Sequence, residues 1–331
     1  MNRKENYMEA LYHRPTEFVP TFFSAVHSVG FGAGNGPWFE KGPQGGGRDG
    51  FGVPWVTPPS GGGAPIPKPG NFVLEDIMEW KSLTFPDIRA FDWESEAKKE
   101  LSGCDRDEFV VDYGCGNGIF ERLAAVMGFE EALCSLYTEP EVCYDFFIAI
   151  TDYKIKVAEK VATYYKANVF TNYDDIAMER NLFISPEIYR KLIKPHHKRL
   201  NDAVRELGML PLYHCCGRAE ALIEDFIETG AQGWTSVQPC NDIVSLLKNY
   251  GSQIAIIGGF DSNGRPGMTD ASEEEVRGEV RRCFDTYGTY NGYVLFGAKI
   301  VNSLDPNIVA GAYLPIIDEA EKYAMELVGK N

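Results

Sequence analysis

The sequence predicts a (β/α)8 barrel, and three observations carry that expectation. Strand-like runs alternate with helical stretches from about residue 105 to the end. The strands are apolar and rich in β-branched residues, the composition of parallel strands covered by helices. The length of 331 residues suits one barrel of roughly 250 residues with insertions. The chain is therefore read as a single barrel domain over 1–331, in preference to an open doubly wound sheet.

The elements follow in order. Residues 3–13 carry a short amphipathic helical pattern, and 18–26 (FVPTFFSAV) read as a buried strand. The next segment is unusual: 14 of the 34 glycines and 8 of the 19 prolines lie between Gly30 and Gly70. It is too long for an ordinary loop, and its aromatics Phe31, Trp38, Phe39, Phe51 and Trp55 weigh against a solvated linker. Residues 30–72 are read as an inserted, lid-like segment over the mouth, the alternative being an arm that docks on another subunit.

Beyond it, 108–113 is a strand, followed by helices over 119–134 and 139–165, the second started by Thr138, Pro140 and Glu141. Strand 167–173 leads to helix 186–207, with Ser185 as cap and Pro186 in the first position. Strand 210–214 precedes helix 218–229, and strand 234–238 precedes helix 242–250. Strand 253–260 is followed by helix 272–286, which opens on the capping box Ser272-x-x-Glu275. Strand 293–296 and a helix from Asp305-Pro306 to about 328 complete the chain. That makes seven strands, with an eighth expected within 66–100.

Composition narrows the function. The net charge of −16 opposes nucleic acid as a main partner, because phosphate binding needs a basic face. The polar N-terminus lacks the apolar core of a signal peptide, and no run approaches the roughly 20 apolar residues of a membrane helix. A soluble cytoplasmic protein is expected, in whose reducing surroundings the eight cysteines form no disulfide framework.

In a barrel the C-terminal strand ends line the active site. The candidates there are His27, residues 112–117 with Tyr113 and Asn117, Asp174, Asp175, residues 214–216, residues 238–240, Asp261 and residues 297–299. The glycine-rich run from Val110 to Gly118 resembles the nucleotide turn of S-adenosylmethionine methyltransferases. Two long helices follow it where a second strand ending in a ribose-binding acid is needed, so that reading is set aside.

The sharpest chemical pattern is Tyr213-His214-Cys215-Cys216-Gly217. His-x-Cys on an extended strand puts both side chains on one face, and imidazole plus thiolate suits zinc. Cys240, closing the next strand, is the expected third metal ligand beside His214 and Cys216. The bland alternative is a structural histidine among buried cysteines. Cys215 points the other way and is read as packing.

Together these stretches resemble the uroporphyrinogen decarboxylase superfamily, which includes corrinoid-dependent methyltransferases. The resemblance runs from about residue 108 to the end. It rests on Gly118-Ile-Phe-Glu-Arg122 with Met127-Gly-Phe-Glu130, and on Asp174-Asp175-Ile176 with Ile184-Ser-Pro-Glu187 and Ile193-Lys-Pro195. His214-x-Cys216-Gly217, Val237-Gln-Pro239 and Gly258-Gly-Phe-Asp261 complete it. It implies a barrel with its site at the C-terminal mouth.

Decarboxylases of this superfamily hold a polycarboxylate substrate with an arginine motif after the first strand. Here residues 22–30 contain no arginine, and the segment beyond offers only Lys41, Arg48 and Lys68. The methyltransferase branch fits better, with the decarboxylase as runner-up and a non-catalytic corrinoid- or metal-handling protein as a third reading. The branch implies methyl transfer from a small methylated donor, here a methoxylated aromatic (O-demethylation), to Co(I) of a separate corrinoid protein. Zinc is the implied cofactor; a corrinoid protein and a small methylated substrate are the implied partners, and a homodimer is left open. In zinc-dependent relatives a later cysteine completes the site, but Ala298 stands at that position here. The third ligand is then Cys240 or a carboxylate, Asp175 or Asp261. His214, Asp175, His27 and Asp261 are the candidate catalytic groups. Trp38, Phe39, Phe51, Trp55, Tyr113 and Asn117 are the candidate substrate-binding residues.

Overall fold

The computed structural model describes residues 1–30, 46–57, 65–301, 303 and 305–328. Trp38 and Phe39 lie outside the described residues. A curled, all-parallel sheet of seven strands forms the framework. In chain order they are β1 (Val26–Val29), β2 (Val110–Cys115), β3 (Val169–Tyr173), β4 (Leu210–His214), β5 (Gly233–Val237), β6 (Ala255–Gly259) and β7 (Tyr293–Phe296), each paired with the next. The segment before β1 spans the remaining gap. Thr21 bridges Leu295, and the Leu295 N–H donates to the Pro20 carbonyl at 2.9 Å.

Three expectations are corrected here. Residues 66–100 supply no barrel strand: they hold Ile66–Pro67 of a small sheet, two short 3₁₀ turns and the helix Trp93–Glu100. The stretch read as strand 18–26 is broken by a helical turn, Phe22–Ala25, so β1 starts at Val26. Its aromatics cross to the far edge, where Phe22 meets Phe296 edge-on at 4.8 Å. The helix after Thr138 also starts differently. Glu139 is the N-cap, and no side chain caps the helix Pro140–Lys160.

Elsewhere local chemistry sets the boundaries as read. Ser185 accepts from the Ile188 N–H ahead of Pro186, and Ser272 and Glu275 form a reciprocal capping box. Strand alternation divides the core in two. Val26, Val110, Val169, Leu212, Ala255, Ile257 and Val294 fill the barrel interior, plugged by Tyr7, Ala10 and Leu11 of the helix Arg3–Leu11. The alternate strand residues, such as Val111, Tyr113 and Cys115, pack outward under the helices. Among the described residues no helix is long and apolar enough to cross a membrane.

The described parts of the glycine-rich segment form a three-stranded antiparallel sheet, Gly47–Arg48, Pro54–Val56 and Ile66–Pro67. Asp49 ties it to the barrel. Its carboxylate accepts from the Phe51 and Val53 N–H groups, from Trp55 Nε1 and from Arg122 Nη1 at 2.7 Å. Both members of the Asp49–Arg122 pair are fully buried, and the guanidinium lies 4.1 Å from the Phe51 ring centroid. A buried pair persists when its other donors and acceptors are satisfied, as they are around this carboxylate.

Candidate metal centre and adjoining cavity

His214 ends β4 opposite Tyr173, which ends β3, and the two rings stack at 4.1 Å. Two residues past each strand end come Asp175 and Cys216. The ladder persists just beyond the strands, with Asp174 N–H donating to the His214 carbonyl and Cys215 N–H to the Thr235 carbonyl. The side-chain ligand atoms of Asp175, His214 and Cys216 consequently lie within 4.8 Å of one another. His214 Nε2 is 3.5 Å from Cys216 Sγ, and Asp175 Oδ1 accepts the Cys216 N–H at 2.7 Å. Gly217 lets the chain turn away at once. Its φ is +82°, and a Cβ there would come within 2.8 Å of the Ala177 and Met178 backbone.

The neighbouring aspartate does something different. Asp174 is fully buried and accepts from the Ile119, Phe120 and Glu121 N–H groups, so it caps the helix Ile119–Met127 from another strand. His197 Nε2 lies 2.7 Å from Asp174 Oδ2. The Tyr189 hydroxyl lies 3.1 Å from His197 Nδ1, and Tyr213 Oη donates to the Asp174 carbonyl. The fit is close: a Cβ on Gly118 would sit 2.1 Å from Asp174 Cβ. This knot fixes the turn that presents Asp175.

Beside the three ligand atoms opens a cavity of about 680 Å³. Trp55, Phe72, Phe120, Phe129, Tyr173 and Phe183 supply its apolar wall, and Asn117, Glu121, Asp175 and His214 its polar groups. Phe129 and Phe183 meet edge-on at 4.9 Å. No lysine or arginine is among the described lining residues. Asn117 holds a left-handed φ of +46°, a conformation asparagine tolerates better than most residues.

The structure sorts the remaining candidates. Cys240 is not in the ligand cluster: it sits past Pro239 in a turn, where its sulfur accepts from its neighbour Asn241 Nδ2, and burial raises its thiol pKa. The third position beside His214 and Cys216 belongs to Asp175. His27 points its Nε2 at the Glu100 carbonyl, 2.8 Å away, and Asp261 accepts from the Gly264 N–H in its own loop. Neither lines the cavity. Tyr113 is core, because β2 runs two residues further than expected. That leaves its ring mid-strand on the outward face, against Tyr165 and Phe170. Phe51 is likewise packed, between Phe85 and Tyr153. Trp55 and Asn117 do line the cavity. Cys215 is fully buried, and desolvation lifts its thiol well above the ordinary range.

Sequence reasoning missed Phe72, Phe120, Glu121, Phe129 and Phe183. The motif Gly118-Ile-Phe-Glu-Arg122 held a signal for two of them, since the first helical turn after a barrel strand faces the mouth. Asp112, expected at the mouth with residues 112–117, lies mid-strand inside the barrel instead. That carboxyl is buried, accepts from the Thr171 hydroxyl, and is raised to about 7 by desolvation.

Residues 51–310 match the family model for uroporphyrinogen decarboxylase (URO-D). The chain belongs to the URO-D family. The match begins inside the glycine-rich segment, well before the stretch in which the sequence resemblance was visible. No curated protein matches this URO-D family member. Among solved structures, a methyltransferase from Methanosarcina mazei is similar in fold, with 14% identity and a TM-score of 0.66 over 98% of this chain and 99% of that one. Xylanase B from Clostridium stercorarium F9 matches at 12% identity and a TM-score of 0.38, over 64% of this chain and 74% of that one.

The three donors fit a metal of the zinc type. Imidazole nitrogen, thiolate and carboxylate are all zinc ligands, and three protein donors with a fourth position open is the catalytic pattern.

Proposed function

We propose that this URO-D family protein is a methyltransferase. It takes a methyl group from a small methylated donor, a methoxylated aromatic, and passes it to Co(I) of a separate corrinoid protein. The observation that carries the reading is Asp175, His214 and Cys216 gathered beside an aromatic-walled cavity at the strand ends. The similarity in fold to a methyltransferase supports it.

Asp175, His214 and Cys216 would hold zinc, which supplies Lewis acidity at the ether oxygen of the donor. The aromatic walls orient the ring and keep water from the methyl carbon. Co(I) of the partner supplies the electron pair that forms the new bond to carbon. The carbon–oxygen pair stays on oxygen, which leaves as a phenolate and takes a proton from solvent. The segment 30–72 serves as the lid of a single barrel domain, its described part anchored by Asp49 on Arg122.

The test combines zinc-loaded protein, the corrinoid protein reduced to Co(I), and a panel of methoxyarenes, methanol and methylamines. Loss of the Co(I) absorption with methoxyarenes is the expected result. Transfer from methanol or a methylamine alone would replace the donor class. No transfer from any donor would overturn methyl transfer itself.

A further inference from the structure

The polar groups of the cavity carry a charge bias that bears on the donor, and the inference from it rests on the methoxyarene reading above. Glu121 and Asp175 are both carboxylates on the lining, His214 is the sole basic type among the described lining residues, and lysine and arginine are absent from them. The sequence adds little to offset this. Among residues 31–45 and 58–64 the only cationic side chain is Lys41, accompanied by Glu40. Glu121 lies in the first turn of the helix Ile119–Met127, where the helix N-terminus favours negative charge. Its backbone N–H is held by Asp174 at 2.9 Å, which fixes the position from which the side chain reaches the cavity.

We infer that this cavity selects uncharged methoxyphenols over methoxybenzoates, with Glu121 as the specificity-determining residue that accepts the ring hydroxyl. A ring carboxylate would meet the Glu121 carboxylate in a partly desolvated space, where like charges repel strongly, while Asp175 faces the metal it would hold. A ring hydroxyl instead donates to an ionised acceptor, a stronger bond than a neutral pair makes. The size of the cavity also favours a substituted ring over a small methylammonium ion. About 680 Å³ is in the range of drug-sized ligand sites, and a compact cation would leave most of the aromatic wall uncovered.

The experiment measures binding, so it does not require methyl transfer. Full-length, zinc-supplemented protein is titrated with 2-methoxyphenol, anisole, 2-methoxybenzoate and tetramethylammonium. Calorimetry and the quenching of tryptophan fluorescence provide the readout, since Trp55 is on the wall. The expected order is 2-methoxyphenol first, anisole about 10-fold weaker, and 2-methoxybenzoate about 100-fold weaker, the size of one like-charge contact in a partly buried site. Glu121→Leu should erase the advantage of 2-methoxyphenol over anisole. Glu121→Lys should bring 2-methoxybenzoate to at least the affinity of 2-methoxyphenol.

Equal or tighter binding of 2-methoxybenzoate to the wild type would overturn the inference, as would preferred binding of tetramethylammonium or no binding of any aromatic. Should either variant fail to fold, the ligand order in the wild type still decides. The two readings fail separately. Binding of 2-methoxyphenol without methyl transfer sinks the corrinoid reaction and leaves the selectivity. Methyl transfer from 2-methoxybenzoate with equal affinity leaves the reaction and sinks the selectivity.

Discussion

On the β3–β4 side of the mouth, Asp175, His214 and Cys216 bring three ligand atoms together. On the β6–β7 side an aspartate and a lysine are each engaged with backbone groups. Asp261 accepts from the Gly264 N–H, and Lys299 Nζ donates to the Ala271 carbonyl. The difference lies in who satisfies the surrounding backbone. On the first side Asp174 takes the three N–H groups of a helix start, and Asp175 is left at the mouth. On the second side Glu279 takes only the Asp261 N–H, at 2.9 Å, and the Asp261 side chain caps its own loop.

The largest test of this contrast is metal content. His214→Ala, Cys216→Ala and Asp175→Ala should each lose stoichiometric zinc and at least about 100-fold in methyl transfer, whereas Asp261→Asn should keep its zinc. Elemental analysis of the four variants checks this, and zinc lost in Asp261→Asn would break the comparison. Next comes the ion pair that ties the small sheet to the barrel. Arg122→Ala strands the buried Asp49 carboxylate and should cost roughly 3–5 kcal/mol in denaturant unfolding, with zinc retained.

Asp112 sharpens the picture of the barrel interior beneath the ligand side. Burial makes its carboxyl bind a proton more tightly in the folded chain than in the unfolded one, pushing its pKa up to about 7 from the ordinary aspartate range. The fold therefore loses stability as pH rises through that window. Asp112→Asn removes the loss, and should raise thermal stability by a few kcal/mol above pH 7 while changing little near pH 4. A gain of equal size at both pH values would contradict burial as its cause.

A smaller effect is expected behind the ligands. His197→Ala removes the support of Asp174 and should weaken zinc affinity by roughly 10–100-fold, with partial rescue by His197→Gln. Unchanged zinc affinity would confine His197 to packing. The smallest effect lies on the β6 side. Ser272→Ala deletes the capping box of the helix Glu273–Tyr287 and should cost about 1 kcal/mol with no change in zinc.

Much of the frame was legible from local chemistry. The strands of residues 210–214 and 293–296 fall where the apolar runs placed them, and Ser185 and Ser272 cap as their spacing required. His214 and Cys216 were found because a strand period alone puts them on one face. Tyr113, Phe51 and Cys240 were misplaced for reasons no local pattern contains: a strand two residues longer, a packed layer beneath Arg122, and a turn past Pro239.

The sequence by itself determined the barrel class, the order of seven of its strands and the placement of His214 and Cys216 on one face. Each of these follows from periodicity, capping and composition, which act over a few residues. The tertiary structure decided which of two adjacent aspartates faces the mouth, that a carboxylate joins the histidine and cysteine, and which aromatics wall the cavity. Those choices depend on groups far apart in the chain. Asp174 reaches a helix start that precedes it by 53–55 residues, and Asp49 reaches Arg122 across 73. Only the closed fold brings such partners within hydrogen-bonding distance.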